Sequence, residues 1–200
     1  MVDNEHKLLA RQKIRRMLLM NTWHLRGFSL VELMIAIVVL GILTTLAMPS
    51  FSRWIASTQV RAMAEFIQNG VRLAQREAAA RNGTVTLTLT NDTPPLCGST
   101  ANTAGANWVI CANGTVIHQN VGASGSASAV INSDFSALSF NGLGRSNLGT
   151  PATITVTSNR GACETSSTEG IRCLNVLVSP GGKVRLCDPL LTAGDPSACS

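Results

Sequence analysis

The chain has 200 residues, six cysteines, no tyrosine and only 4% aromatic residues. This length suits one domain with appendages, and a core so poor in rings must rest on Val, Ile, Leu and Ala. The formal charge of +5 points to a polyanion partner, but it is unevenly placed: residues 1–27 hold Lys7, Arg11, Lys13, Arg15, Arg16 and Arg26 against Asp3 and Glu5, whereas from Asn82 onward five basic groups meet six acidic ones. The excess belongs to the N-terminal segment, which argues against a basic nucleic-acid arm or a chain-wide nucleic-acid surface.

Residues 1–27 read as a basic leader. Met17 and Met20 are alternative starts, and from Met20 the leader is the compact "MNTWHLRG". Residues 28–48 follow as 21 residues in which Glu32 is the only charge. About 20 apolar residues span a bilayer, whereas a secretory h-region has about 7–15. No small-residue cleavage site follows, so the run reads as a single-pass anchor. Its basic flank is N-terminal, which keeps the leader in the cytoplasm and places the rest of the chain outside it.

Glu32 is the anomaly of that run. A charge at mid-membrane costs about 2.5–3.5 kcal/mol, less near the interface. The bland explanation is a carboxyl that is neutral or snorkels to water. The functional one is a carboxylate that waits for a cation from outside its own helix. Cleavage between Gly27 and Phe28 would create one, because a free α-amine has a reference pKa of about 7.7–8.0. In a bundle of related helices, one chain's amine can meet the next chain's Glu32 and set the axial register.

The stretch "RGFSLVELMIAIVVLGILTTLAMPSF" (residues 26–51) closely resembles the class III signal of type IV prepilins and type II secretion pseudopilins. The resemblance implies that prepilin peptidase cuts after Gly27 and N-methylates Phe28. It assigns subunit pairing to Glu32 and a helix bend to Pro49. It places the chain in the inner membrane, with a periplasmic C-terminal domain, and then in a pilus or pseudopilus beside other major and minor pilins or pseudopilins.

Residues 49–82 continue as an amphipathic helix. Phe51, Ile55, Met63, Ile67, Val71, Ala74 and Ala78 recur at steps of three, four and eight, with Trp54 and Phe66 beside them, which makes one apolar face. Asn82-Gly83 is a C-terminal stop. From Phe28 to Arg81 a continuous helix would be about 80 Å long. Its second half needs a soluble partner for the apolar stripe.

Residues 83–200 supply that partner. "TVTLTLT" alternates as a half-buried strand. "NWVICANGTVIHQ" reads as a hairpin turned at Asn113-Gly114. "AVINS", "FSALSF" and "ATITVTS" are further strands, and "IRCLNVLVSPGGKVRLC" is a second hairpin across "SPGG". The expectation is about eight strands in two packed antiparallel sheets with one long helix laid on them, a pilin-like α+β fold. "NVGASGSASA" (120–129) and "SNRGACETSSTEG" (158–170) read as surface loops.

Cys97, Cys111, Cys163, Cys173, Cys187 and Cys199 all follow the anchor. Outside the cytoplasm they read as disulfides. Six cysteines allow fifteen pairings; the sequential set, Cys97–Cys111, Cys163–Cys173 and Cys187–Cys199, is favoured because each bond closes a local loop. A zinc site is disfavoured by the lack of a C-x-x-C and by His118 being the only histidine past the anchor.

Three further stretches carry a finer resemblance. "NGVRLAQREAAARNG" at the helix end, "FNGLGR" (140–145) and "VSPGGKVRLCDP" (178–189) resemble the signatures of the FimT/FimU/GspH pseudopilins. Arg76-Glu77-Ala78 stands where Ser-Glu-Ala is commoner. The resemblance implies a minor type IV pilin of the pilus tip or initiation complex, or else a minor pseudopilin of type II secretion. Some FimT-type members bind DNA through a Gly-Arg-x-Arg element, matched here by Gly182-Lys183-Val184-Arg185. Lys183 keeps the charge and loses the bidentate fork. Such a site would make weak, sequence-independent, salt-sensitive phosphate contacts, with Arg160 and Arg172 as further cations. The bland alternative is an ordinary solvated strand pair, favoured by the acidic balance of the domain and by its few aromatics for stacking.

No catalytic constellation is visible. His118 stands alone, Asp134 and Asp188 form no pattern, and the glycine-rich loop precedes no helix that would make a phosphate cradle. The expectation is a structural protein, with no enzymatic activity, cofactor or metal.

Overall fold

The computed structural model describes residues 28–122 and 126–199. The leader, including Gly27, lies outside them. The chain divides into two compact units, residues 1–46 and 47–200.

Helix α1 runs Leu30–Arg81 and passes through position 49 without a break in its assignment. In the first unit its large apolar side chains are exposed, from Leu30 (74%) to Leu46 (73%). This stretch supplies the one helix among the described residues that is long and apolar enough to cross a membrane. The helix stops for a local reason. Asn82 adopts φ 47°, its N–H donates to Ala79 O at 3.2 Å, and Gly83 N–H donates to Ala78 O at 3.1 Å. That is a Schellman cap with asparagine, not the following glycine, as the left-handed residue.

In the second unit, α1 packs on two four-stranded antiparallel sheets. The strands are β1 (Val85–Thr90), β2 (Asn107–Ala112), β3 (Thr115–Asn120), β4 (Ala129–Ser133), β5 (Ala137–Phe140), β6 (Ala152–Ser158), β7 (Leu174–Val178) and β8 (Val184–Cys187). One sheet has the order β3-β2-β1-β5 and the other β4-β6-β7-β8. The β2–β3 hairpin turns at Asn113 (φ 50°) and Gly114 (φ 76°), as a two-residue turn of primed type requires.

The core follows from alternation. Val85, Leu87 and Leu89 of β1, Leu138 and Phe140 of β5, Ile154 and Val156 of β6, and Val176 and Val178 of β7 point inward and are buried. The helix closes this layer with Ala56, Val60, Met63, Ala64, Ile67, Val71, Ala74 and Ala78. The buried stripe is therefore displaced from the one the periodicity predicted. Phe51 is exposed at 60%, Trp54 at 64%, and Ile55 is only half-buried. Up to Met63 the sheets cover small Ala56 and Val60, on a neighbouring face of the helix.

Three disulfides brace the loops: Cys97–Cys111 ties the β1–β2 connection to β2, Cys163–Cys173 closes the β6–β7 connection, and Cys187–Cys199 ties the C-terminal segment to the end of β8.

Candidate functional site

Two regions concentrate the residues that the sequence singled out. The first is the start of α1. Leu33 N–H donates to Ser29 O at 3.1 Å, which opens the helix at Leu30, two residues after Phe28. Glu32 lies in that first turn, where the helix dipole favours a carboxylate. Its side chain is exposed, and no ion pair joins it to another described residue. A carboxylate with a favourable backbone field and no ion-pair partner among the described residues is available to a cation of another chain.

The second region is a joint between α1, the β5–β6 connection and the β7–β8 hairpin. The connection is wound around Asn141, whose Oδ1 accepts from Leu143 N–H and Arg145 N–H, both at 3.0 Å. This presents the Gly144 carbonyl to the helix, where Gln75 Nε2 donates to it at 2.9 Å. The hairpin docks on the same spot. Ser146 N–H donates to Pro180 O at 3.1 Å, and Ser146 Oγ to Ser179 O at 3.1 Å. Gly182 sits at φ +87°, and a β-carbon there would collide with Gly144 O and Gln75 Nε2. The position has room for glycine only.

The helix also closes the free edge of β8. With its amide oxygen turned toward the strand, Gln68 accepts from Leu186 N–H at 2.9 Å and from Arg72 Nη2 at 3.2 Å. Arg72 Nη2 donates in turn to Val184 O at 3.3 Å. An edge strand with unpaired amides is a site of unwanted pairing, and side-chain cover of this kind removes it.

Four cations are attached to this joint. Arg72 and Arg76 flank Gln75 on the helix, Arg145 follows Gly144, and Lys183 follows Gly182; all four are exposed. None has an acidic partner in ion-pair range among the described residues. The other predicted cations are placed differently. Arg185 is half-buried and donates through Nη2 to Ala198 O at 2.9 Å, so it helps hold the C-terminal segment. Arg172 pairs with Asp188 Oδ2 at 2.5 Å and lies 3.9 Å from Glu164. The hydrogen bond to Asp188 raises the guanidinium above its ordinary value, and the charges of Asp188 and Glu164 add to this. Arg160 lies apart from the joint, in the β6–β7 connection. Lys183 is thus the predicted cation that reaches solvent at the joint, and Arg72, Arg76 and Arg145 are members that sequence reading missed. Two of them lie within the helix-end stretch and one ends "FNGLGR", but only the fold brings the three motifs together.

The remaining predicted polar residues have structural partners. His118 Nε2 lies 3.5 Å from Glu77 Oε1. A hydrogen bond from Arg81 lowers the Glu77 carboxyl below its ordinary value, and His118 adds to this. Asp134 Oδ2 accepts from Thr153 N–H at 2.7 Å. Buried Asp188 accepts from Leu190 N–H at 2.8 Å besides holding Arg172. Among the described residues no cluster of His, Cys, Asp and Glu has the makings of a metal site.

Comparison with known proteins adds the family. No curated protein matches the chain. Among solved structures, the type IV minor pilin FimU of Pseudomonas aeruginosa matches in two crystal forms. One aligns at 15% identity and a TM-score of 0.48, covering 72% of this chain and 96% of FimU. The other gives 15% and 0.45, over 63% and 90%. A prokaryotic N-terminal methylation motif matches residues 25–48, which include Gly27, Phe28 and Glu32. The model of the type II transport protein GspH matches residues 63–182, more than half of the chain and most of the helix-and-sheet unit. The chain therefore belongs to the GspH family of pilins and pseudopilins, with a methylation motif at the head of its helix.

Proposed function

We propose that this protein is a minor type IV pilin, a structural subunit of the pilus tip or initiation complex, without enzymatic activity. The observation that carries this reading is an exposed Glu32, with no ion-pair partner among the described residues, inside a methylation motif whose cut would free an amine four residues upstream. Such a carboxylate is of little use to a lone membrane anchor. It is of use to a subunit that must enter a bundle of similar helices in one register. On this reading the helix-and-sheet unit faces the periplasm before assembly, and prepilin peptidase and other pilins are the partners.

A role in DNA uptake is proposed with it. It is supported by the four exposed cations at the joint, two on the helix, one on the β5–β6 connection and one on the β7–β8 hairpin, which have no acidic partner among the described residues. The alternative is a minor pseudopilin of type II secretion, favoured by the family model itself, which carries that description. Deletion of the protein, scored for twitching, transformation and protein export, separates the two. Loss of pilus function with intact export supports the pilin. Loss of export with intact pili assigns it to secretion.

A further inference from the structure

Phe51 and Trp54 are two large rings that the domain does not cover. They are exposed at 60% and 64% and stack on one another, with centroids 5.8 Å apart. In sequence they fall three and six residues after Met48, where the apolar run ends. The buried stripe begins only at Ala56. The pair therefore belongs neither to the membrane-spanning run nor to the core, and falls between them in sequence.

The polar groups around Trp54 come as paired opposite charges. Arg53 Nη1 meets Glu169 Oε2 at 2.6 Å. Arg61 meets Glu65 at 2.9 Å. Arg172 meets Asp188 at 2.5 Å. Trp54 lines an open recess of about 320 Å³ with Ser50, Arg53 and Glu169, and a groove of about 460 Å³ with Ser57, Arg61 and Arg172. A surface that combines stacked rings, hydroxyls and balanced charge matches a zwitterionic headgroup. Its phosphate meets guanidinium, and its single ammonium meets a carboxylate or lies over the indole face. Tryptophan concentrates at membrane–water interfaces because one side of the ring is apolar and the N–H seeks water.

We propose that Phe51, Trp54 and the ion pairs beside them form an interfacial seat that holds the helix-and-sheet unit in the phospholipid headgroup layer before the subunit enters a filament. This rests on the reading of residues 28–48 as a membrane anchor. Phe51 follows the end of that apolar run by only three residues in sequence, which commits the seat to lipid. A neighbouring subunit is the competing occupant.

The test uses the full chain reconstituted in phosphatidylethanolamine nanodiscs with a nitroxide quencher on acyl carbons next to the headgroup, or deep in the bilayer. The chain has three tryptophans, so Trp54→Phe isolates the signal of interest. The shallow quencher should quench the wild type strongly, and Trp54→Phe should lose the larger part of that quenching. The deep quencher should not distinguish the two. Phe51→Ala should shift wild-type emission toward that of solvated indole. Because the charges are paired, added salt should leave the quenching unchanged. Equal shallow quenching of wild type and Trp54→Phe overturns the proposal. So does shielding of Trp54 that arises only in assembled filaments. Extraction of the wild type by alkaline carbonate would instead overturn the anchor reading itself, which keeps the two failures apart.

Discussion

Gln75 Nε2 donates to the carbonyl of Gly144 at 2.9 Å, and Gly182 closes over both. One helix side chain thus locks two loops whose sequences lie far apart. At φ +87° Gly182 cannot take a β-carbon without strain. Such a conformation costs about 1–3 kcal/mol in a non-glycine residue, before the collision with Gly144 is counted. Gly182→Ala should lower the thermal midpoint clearly. Gln75→Ala, which removes one hydrogen bond, should cost about 1 kcal/mol. Thermal unfolding in detergent measures both; a neutral Gly182→Ala would refute the joint.

Lys183 and Arg185 share one hairpin but have different tasks. Lys183 is exposed, while Arg185 holds the Ala198 carbonyl at 2.9 Å. Lys183→Ala should weaken DNA binding at unchanged stability and reduce the slope of log K against log salt by about 0.9. Arg145→Ala and Arg76→Ala should act likewise. Arg185→Ala should instead destabilise the C-terminal segment. Fluorescence anisotropy with a DNA duplex across a salt series, paired with thermal melts, checks the split. Equal DNA binding by the Lys183, Arg145 and Arg76 variants would remove DNA from the proposed function.

The Cys187–Cys199 bond closes a loop of 12-residue separation. In the chain-entropy account a loop of that length is worth about 3 kcal/mol. The double variant Cys187→Ser, Cys199→Ser should lose stability of that order and expose the C-terminal segment to protease first, which limited proteolysis with mass spectrometry would read.

Glu77 supplies the pH dependence. Its carboxyl is held below the ordinary value of 4.5 by the hydrogen bond from Arg81 and by His118. A depressed carboxylate stabilises the fold above its unfolded pKa and loses that contribution as pH falls through the folded one. Glu77→Gln should therefore melt below the wild type at neutral pH, and the two should converge as the pH drops below about 4. Melts from pH 7 to pH 3 decide it; a difference that widens in acid has the wrong sign.

Much of this fold was legible because its signals are local. Strict alternation in "TVTLTLT" and "ATITVTS" gives β1 and β6, and Asn113-Gly114 fixes its hairpin by backbone preference alone. The 21-residue apolar run with one acid is a composition signal that needs no tertiary information. What escaped was non-local. Periodicity placed Phe51 and Ile55 on the buried face, because it ranks residues by apolarity and cannot know where the sheets begin; they cover Ala56 and Val60 instead. The joint at Gln75 was invisible for the same reason, since its three parts occupy separate stretches that only the sheet order brings together. The carbonyl partner of Arg185, Ala198, was equally hidden, because it is set by the folding back of the C-terminal segment.

The central claim is that a methylated amine at Phe28 pairs with Glu32 of a neighbouring subunit. Its most direct test is mass spectrometry of the N-terminal peptide from purified filaments of wild type and Glu32→Gln. Pairing of this kind requires a wild-type peptide that begins at N-methyl-Phe28, and near-absence of the Glu32→Gln chain from filaments despite normal membrane levels. A wild-type peptide that still carries residues before Phe28, or Glu32→Gln incorporated as well as wild type, would contradict it.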